Sequence, residues 1–140
     1  MSFKVKVISD LPLIKQSKKI TSTVKECITD YTDDLYMVAV SRTPVDEGNL
    51  ETSGKKSVTS GSNIVGEVSF NATNKGFNYA VKMHESKYKL GEKSKRKRPM
   101  RSKYANRSFN VGSKYLVGTA LASQKGYTKD LNERLGKVLD

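Results

Sequence analysis

Tyr79-Ala-Val-Lys-Met-His-Glu85 is the stretch around which we expect the rest of the chain to be arranged. Its odd-numbered residues from Tyr79 to Met83 are apolar, and they alternate with the even-numbered residues from Ala80 to His84. A period of two is typical of a half-buried β-strand, so we predict a strand over 79–85. We expect His84, the only histidine, to make a structural hydrogen bond at the end of that strand.

Upstream of this stretch, hydrophobic periodicity predicts a strand, a long helix and a hairpin. Alternation over Phe3–Ile8, with lysines on one face, predicts a short edge strand. Apolar residues at steps of three and four over residues 14–42 predict one long amphipathic helix packed on a sheet. Arms at about 55–60 and 64–71, joined by a turn at 61–63, predict the hairpin. The helical stripe consists of Ile20, Val24, Cys27, Ile28, Tyr31, Leu35 and Val38.

Downstream of the stretch, the chain is first strongly basic and then helical. Helical spacing resumes at Val111, and we expect the helix to open at Gly112. Gly126 is expected to break that helix, and Thr128 to cap a last one. The sequence therefore predicts two C-terminal helices.

We call the strongly basic residues 86–110 the basic segment. It contains ten lysines and arginines and one glutamate, which gives it +9 of the whole chain's +12. It has no clear periodicity, so we predict a long loop that is extended and mobile until a negative partner orders it. Three interpretations stay open: a solvated loop, a nuclear-targeting signal, or contact with phosphates or an acidic protein surface. The candidate contact residues are Lys93, Lys95, Arg96, Lys97, Arg98, Arg101 and Lys103, with Tyr88 and Tyr104 available to stack on bases.

The residue inventory argues against most kinds of catalytic site. One cysteine, Cys27, excludes an internal disulfide and a cysteine-based metal site, and we expect it to be buried in a helix. One histidine excludes a histidine-rich metal site, and the acidic pair Asp46 and Glu47 has no base or nucleophile beside it. We expect no catalytic residue, metal or cofactor. The polar N-terminus and the lack of a long apolar run predict a soluble protein of a reducing compartment.

Three motifs resemble those of small neck proteins of tailed phages, the head–tail joining or tail-completion (minor capsid) family. Thr43-Pro-Val-Asp-Glu-Gly-Asn-Leu50 resembles a T-P-V-D-T-G-x-L signature that follows a long helix, although Glu47 stands where the family usually has threonine or another small residue. Tyr79-Ala80 followed by His84-Glu85 is similar to Y-A-x-x-x-H-E. Gly112-Ser-Lys-Tyr-Leu116 with Ala120-Leu121 is similar to G-x-K-Y/F-L-x-x-A-L. Order and spacing agree over roughly residues 11–125. The matching residues are Pro44, Asp46, Gly48, Leu50, Tyr79, Ala80, His84, Glu85, Gly112, Lys114, Tyr115 and Leu116.

The resemblance implies an α+β fold, with a twisted antiparallel sheet, a long N-terminal helix packed across it, and C-terminal helices. The length of the chain predicts one domain over 1–140, and the basic segment is longer than the connector expected of the family. The resemblance also implies a homo-oligomeric ring, sixfold or twelvefold, at the head–tail junction of the virion after synthesis in the host cytoplasm. The expected partners are other neck, portal-side and tail proteins, with packaged DNA contacted independently of sequence, and no membrane. The family has no established enzyme activity. A stand-alone basic nucleic-acid-binding protein or a small nuclease is the alternative.

Overall fold

The computed structural model describes residues 3–8, 18–45, 49–74 and 77–139. Their fold is α+β, as predicted, with a three-stranded antiparallel sheet, a long N-terminal helix and a long C-terminal helix. In chain order the elements are β1 (Phe3–Ile8), α1 (Lys18–Arg42), α2 (Asn49–Thr52), β2 (Lys55–Ser60), β3 (Ile64–Phe70), β4 (Thr73–Asn74), β5 (Phe77–Asn78), α3 (Tyr79–Glu85), α4 (Glu92–Arg96) and α5 (Val117–Leu139).

The three-stranded sheet has the order β1-β3-β2, with β3 in the centre and all pairs antiparallel. Ser60 pairs with Ile64, so the predicted hairpin and its turn at 61–63 are confirmed. β1 lies at one edge of the sheet, also as predicted. Every second residue of β3 is buried, which is the pattern of a strand with one face on a core. Gly66 belongs to that face, where a Cβ would lie 2.1 Å from the hydroxyl oxygen of Thr32. Glycine at this position therefore allows α1 to pack closely on the sheet.

Helix α1 supplies one side of the core from Val24 to its C-terminal end. Its predicted stripe is confirmed from Val24 to Val38, while Ile20 is only half-buried and residues 14–17 lie outside the described part of the chain. Near its C-terminal end, Leu35 packs with Val68 and Phe70 of β3. Nearer its N-terminus, Val24 and Ile28 pack with Ile64. The helix thus packs against β3 from one end of the strand to the other.

The prediction of a strand over 79–85 is wrong, because these residues form helix α3. The side chain of Asn78 accepts a hydrogen bond from the N–H of Val81 at 3.1 Å, which caps the first turn. Ala80 and His84 are both fully buried. Residues four apart share a face in a helix and also in a strand, so these seven residues fit both periods. The cap, which precedes the stretch, distinguishes the two structures.

The predicted break in the C-terminal helical region is also wrong. Helix α5 is continuous from Val117 to Leu139 and runs through Gly126. A Cβ at Gly126 would lie 1.9 Å from the carbonyl oxygen of Tyr104, so this glycine serves a close approach of two backbone segments. The helix begins five residues later than expected, because Gly112 (φ 135°) and Lys114 (φ 59°) have positive φ angles.

Candidate functional site

The basic segment is packed against the rest of the protein, so the prediction of an extended loop is wrong. It contains helix α4, whose Ser94 is buried. The Ser94 hydroxyl accepts a hydrogen bond from the N–H of Val45 at 2.8 Å. Ser102, also buried, donates to the carboxylate of Asp34 at 2.8 Å, and the N–H of Lys103 donates to the same carboxylate at 2.9 Å. These bonds hold the segment to α1 and to the residues that follow it.

Tyr104 is a third anchor and is not free to stack on bases, contrary to the sequence prediction. Its side chain is buried, and its ring meets that of Tyr31 edge to face at 5.2 Å. Its hydroxyl donates to the carboxylate of Asp130 on α5 at 2.9 Å. Burial and this hydrogen bond raise the pKa of Tyr104 far above its usual value. Burial tends to raise the pKa of Asp130, but hydrogen bonds from Arg134 and Tyr104 outweigh it and lower that pKa.

Lys97, one of the predicted contact residues, also has a structural role. Its side chain is only 14% exposed. The ammonium group donates to the carbonyl oxygens of Thr43 at 2.7 Å and Val40 at 3.0 Å, and it pairs with Glu51 at 3.0 Å. Val40 lies in the last turn of α1 and Thr43 follows the helix directly, so both carbonyls lie at its C-terminal end, where the regular helical hydrogen bonds stop. Lys97 therefore stabilises that end.

The other candidate contact residues are exposed, but they do not form one surface. Lys95 and Arg98 line an open groove of about 660 Å³. Lys93, Arg96, Arg101 and Lys103 are exposed outside the lining of this groove. The guanidinium group of Arg101 donates to the backbone and side-chain oxygens of Asn106, both at 2.7 Å, which occupies part of its donor capacity.

We call the open groove that Lys95 and Arg98 line the basic groove. One wall comes from residues 87–99 and the other from the turn at 110–113. Lys87, which the sequence analysis left out of the contact set, lines it with Lys95 and Arg98. These three cations form no ion pair and no side-chain hydrogen bond with any described residue. Its described lining, which contains no acidic side chain, is Lys87, Tyr88, Leu90, Ser94, Lys95, Lys97, Arg98, Pro99, Asn110, Val111, Gly112 and Ser113.

Arg42, at the end of α1, holds the second wall of the basic groove in place. Its buried guanidinium group donates to the carbonyl oxygen of Asn110 at 3.0 Å and to the hydroxyl of Thr119 at 2.7 Å. Its backbone carbonyl accepts from the N–H of Gly112 at 2.9 Å. Burial, together with the smaller effect of the nearby Arg107 charge, lowers the pKa of Arg42 to about 10. Arg42 is still charged at neutral pH and has no carboxylate partner among the described residues.

Sequence reasoning missed Arg42. The available signal was a basic residue in the last helical turn, directly before Thr43-Pro44. A basic residue at that place is common in helices, because it complements the helix dipole. Nothing in the sequence therefore distinguished a buried arginine from an exposed one.

The residues of the second and third motifs meet behind the basic groove. The buried His84 accepts a hydrogen bond from the N–H of Val117 at Nε2 (3.1 Å), and its carbonyl accepts from the N–H of Lys114 at 2.7 Å. The hydroxyl of Tyr115 donates to the carbonyl of Ala80 at 2.9 Å. The predicted hydrogen-bonding role of His84 is therefore confirmed, although it lies on a helix rather than at a strand end. Glu85 forms an ion pair with Lys114, and its carboxylate lies 3.0 Å from Nδ1 of His84.

The first motif reaches the same place only in part. Leu50 is buried in the same hydrophobic cluster as Ala80, Tyr115 and Leu116, and Tyr79 packs against that cluster. Pro44 is buried as well. Asp46 and Gly48 lie outside the described residues, and so does Glu47.

Within the described ranges, no group of histidine, cysteine, aspartate and glutamate side chains is arranged to hold a metal ion. None of the helices described combines the length and the apolar character needed to cross a membrane. The buried thiol of Cys27 lies 3.6 Å from the carboxylate of Asp130. Burial and the charge of Asp130 raise the thiol pKa to about 12, so it is not a reactive nucleophile.

No family model, curated protein or solved structure matches this chain.

Proposed function

We propose that this protein is a structural subunit of the neck of a tailed phage and forms a ring at the head–tail junction. The observation that carries the proposal is the meeting of three motifs that are far apart in the sequence. The second and third motifs are joined by the hydrogen bond from Lys114 to His84, and Leu50 of the first motif packs in the same cluster as Ala80, Tyr115 and Leu116. Motif residues that contact one another in the folded structure have a shared structural role, and this supports the resemblance in their order and spacing.

His84 is more consistent with a structural protein than with a nuclease. Its Nε2 atom accepts from a backbone N–H, and its Nδ1 atom lies 3.0 Å from the carboxylate of Glu85. The side chain is fully buried. A general base must reach the proton that it abstracts, and a histidine with both nitrogens engaged inside the protein does not. We therefore propose that the protein has no catalytic activity.

Ring closure needs surfaces that a neighbouring copy can cover. An apolar groove of about 380 Å³ lies between β1 and α5. Two large apolar side chains that line it are exposed, Leu121 by 69% and Ile8 by 48%. β1 is an edge strand, and its outer edge pairs with no other described strand. A second copy seated here by a head-to-tail contact would generate a ring when the rotation closes.

The size of particles in solution tests the ring. Measured by mass photometry and electron microscopy, the purified protein, alone or with its neighbouring neck proteins, is expected to form closed rings of six or twelve copies. Replacing Leu121 with aspartate is expected to reduce the rings to monomers without unfolding the chain, because Leu121 is exposed. The matched control is Met37→Asp, which changes an exposed apolar residue of α1 outside the groove.

Two results would overturn the proposal. One is the absence of the protein from purified virions of its phage. The other is a monomer that cleaves nucleic acid, which would favour the nuclease alternative. Rings that survive Leu121→Asp as well as Met37→Asp would show that the groove between β1 and α5 is not the subunit contact.

A further inference from the structure

The basic groove has cations without counter-charges. Lys87, Lys95 and Arg98 line one concave surface, and their charges have no carboxylate partner among the described residues. Arg42 adds a further positive charge behind the wall at 110–113. Like charges arranged in this way repel one another and attract anions, an effect that a concave low-dielectric wall strengthens. The groove is therefore suited to a ligand with several negative charges.

Part of the remaining lining is apolar or aromatic. Leu90, Pro99 and Val111 line the groove together with the ring of Tyr88. The hydroxyl of Tyr88 donates to the carbonyl of Met83 at 2.7 Å, which fixes the position of the ring. Burial raises the pKa of Tyr88 to about 12, so the phenol is neutral at physiological pH. A ligand that fits this lining has a flat apolar part beside its negative charges.

The groove is also built before any ligand arrives. Ser94 and Lys97 fasten one wall to the residues around the end of α1, and Arg42 fastens the other through Asn110 and Ser113. A volume of about 660 Å³ lies within the usual range of small-ligand sites. Because the walls are already in position, binding does not have to order them, and this favours affinity.

We infer that the basic groove binds a short segment of single-stranded nucleic acid, with phosphates against Lys87, Lys95 and Arg98 and a base against Tyr88. Cationic grooves with an aromatic platform bind unpaired strands in this way, without base specificity. In a duplex the bases are stacked inside the helix, so only the phosphates could reach the groove. An acidic peptide would satisfy the cations but leave the apolar lining uncovered. The inference concerns one chain and does not depend on the ring.

The first test changes the charge inside and outside the groove by the same amount. The groove variant is Lys87→Gln/Lys95→Gln/Arg98→Gln. The control variant is Lys25→Gln/Lys125→Gln/Lys129→Gln, which removes three exposed lysines of α1 and α5. Binding of a fluorescent ten-nucleotide oligothymidylate is measured by anisotropy at several salt concentrations. The groove variant is expected to lose about 2 from the magnitude of the salt slope, since each phosphate contact on a single strand contributes about 0.7. The control is expected to keep the original slope.

The second test separates stacking from charge. Tyr88→Leu removes the aromatic ring and is expected to weaken oligothymidylate binding about tenfold, a typical effect of losing one base–aromatic stack. Tyr88→Phe keeps the ring but loses the hydrogen bond to Met83, so it is expected to weaken binding less than Tyr88→Leu does. Circular dichroism establishes that each variant is folded. If Tyr88→Leu does not fold, the pair of charge variants decides alone.

Three outcomes would overturn the inference: equal loss of binding in the two charge variants, tighter binding of a duplex of the same length, or tighter binding of polyglutamate. The last two would show a duplex contact and an acidic-protein contact, respectively. The measurements are repeated with the Leu121→Asp variant. Binding by that monomer would support the nucleic-acid site in the groove even if the ring were disproved. Rings that do not bind oligothymidylate would support the ring and disprove the nucleic-acid site.

Discussion

Replacing Gly126 with alanine should destabilise the protein, although alanine is the better helix former. Gly126 lies in the interior of α5, where alanine ordinarily stabilises a helix by about 1 kcal/mol. Here the added Cβ would lie 1.9 Å from the carbonyl oxygen of Tyr104 and 2.7 Å from its carbonyl carbon. Contacts under 3.0 Å are essentially never seen for real Cβ atoms, so the two backbones must separate by about 1 Å.

The cost of that separation follows from what it disturbs. Overpacking typically costs about 1–3 kcal/mol. The movement also strains the hydrogen bond from Tyr104 to the charged Asp130, and such bonds contribute about 1.5–3 kcal/mol. Set against the gain in helix propensity, we expect a net loss of about 2 kcal/mol in the free energy of unfolding.

Gly136 provides the matched control, because it lies in the same helix and a Cβ there meets nothing within 4 Å. Gly136→Ala should stabilise the protein by about 0.5 kcal/mol. Urea unfolding followed by far-UV circular dichroism measures both variants, which have the same net charge as the original chain. Equal or greater stability of Gly126→Ala, with an unchanged m-value, would refute the close approach of α5 and Tyr104.

Two further predictions concern the buried His84 and Lys97. Burial lowers the pKa of His84 in the folded state, more than Glu85 raises it, so folding is favoured when the ring is neutral. Stability should therefore be constant above pH 7 and fall below the unfolded pKa of about 6.5, by at most about 1.4 kcal/mol per pH unit. Urea unfolding between pH 7.5 and 5 measures this, and the same fall in a His84→Gln variant would refute it. Lys97→Met should cost about 2 kcal/mol, because it leaves Glu51 and two helix-end carbonyls without their charged partner, whereas the exposed Lys95→Met should change stability by less than about 0.5 kcal/mol. Thermal unfolding of the pair measures this, and equal effects would contradict the anchoring role of Lys97.

The long elements were predictable from the sequence because their periodicity extends over many residues. The stripe from Val24 to Val38 has several turns in which to establish a helical period. The alternation of β3 covers seven residues between clear turn signals. The strand prediction for 79–85 failed because Ala80 and His84, the buried residues of this short stretch, share a face in a helix and in a strand alike. Only Asn78 distinguished them, as a cap that the alternation made easy to overlook.

The candidate site was harder to predict, because composition does not show which charges are used inside the protein. Lys95 and Lys97 are two residues apart in one basic run, yet one is exposed and the other is bound to Glu51. The residues that anchor the basic segment, Ser94 and Ser102, are small and uncharged. Their positions among lysines and arginines carry no periodic signal, so only the folded structure identifies them as anchors.

The distribution of carboxylates explains how a segment of charge +9 can pack on the protein and still present free cations. Asp34, Glu51 and Asp130 each lie under one anchor, where they accept from Ser102, pair with Lys97 and accept from Tyr104, respectively. Two of those three anchors are uncharged side chains, so these carboxylates fasten the segment while neutralising little of its charge. No described acidic residue lines the basic groove, so no carboxylate of the lining neutralises the charge of its cations. The same arrangement that orders the segment leaves Lys87, Lys95 and Arg98 without a carboxylate partner among the described residues, which is why the groove attracts anions.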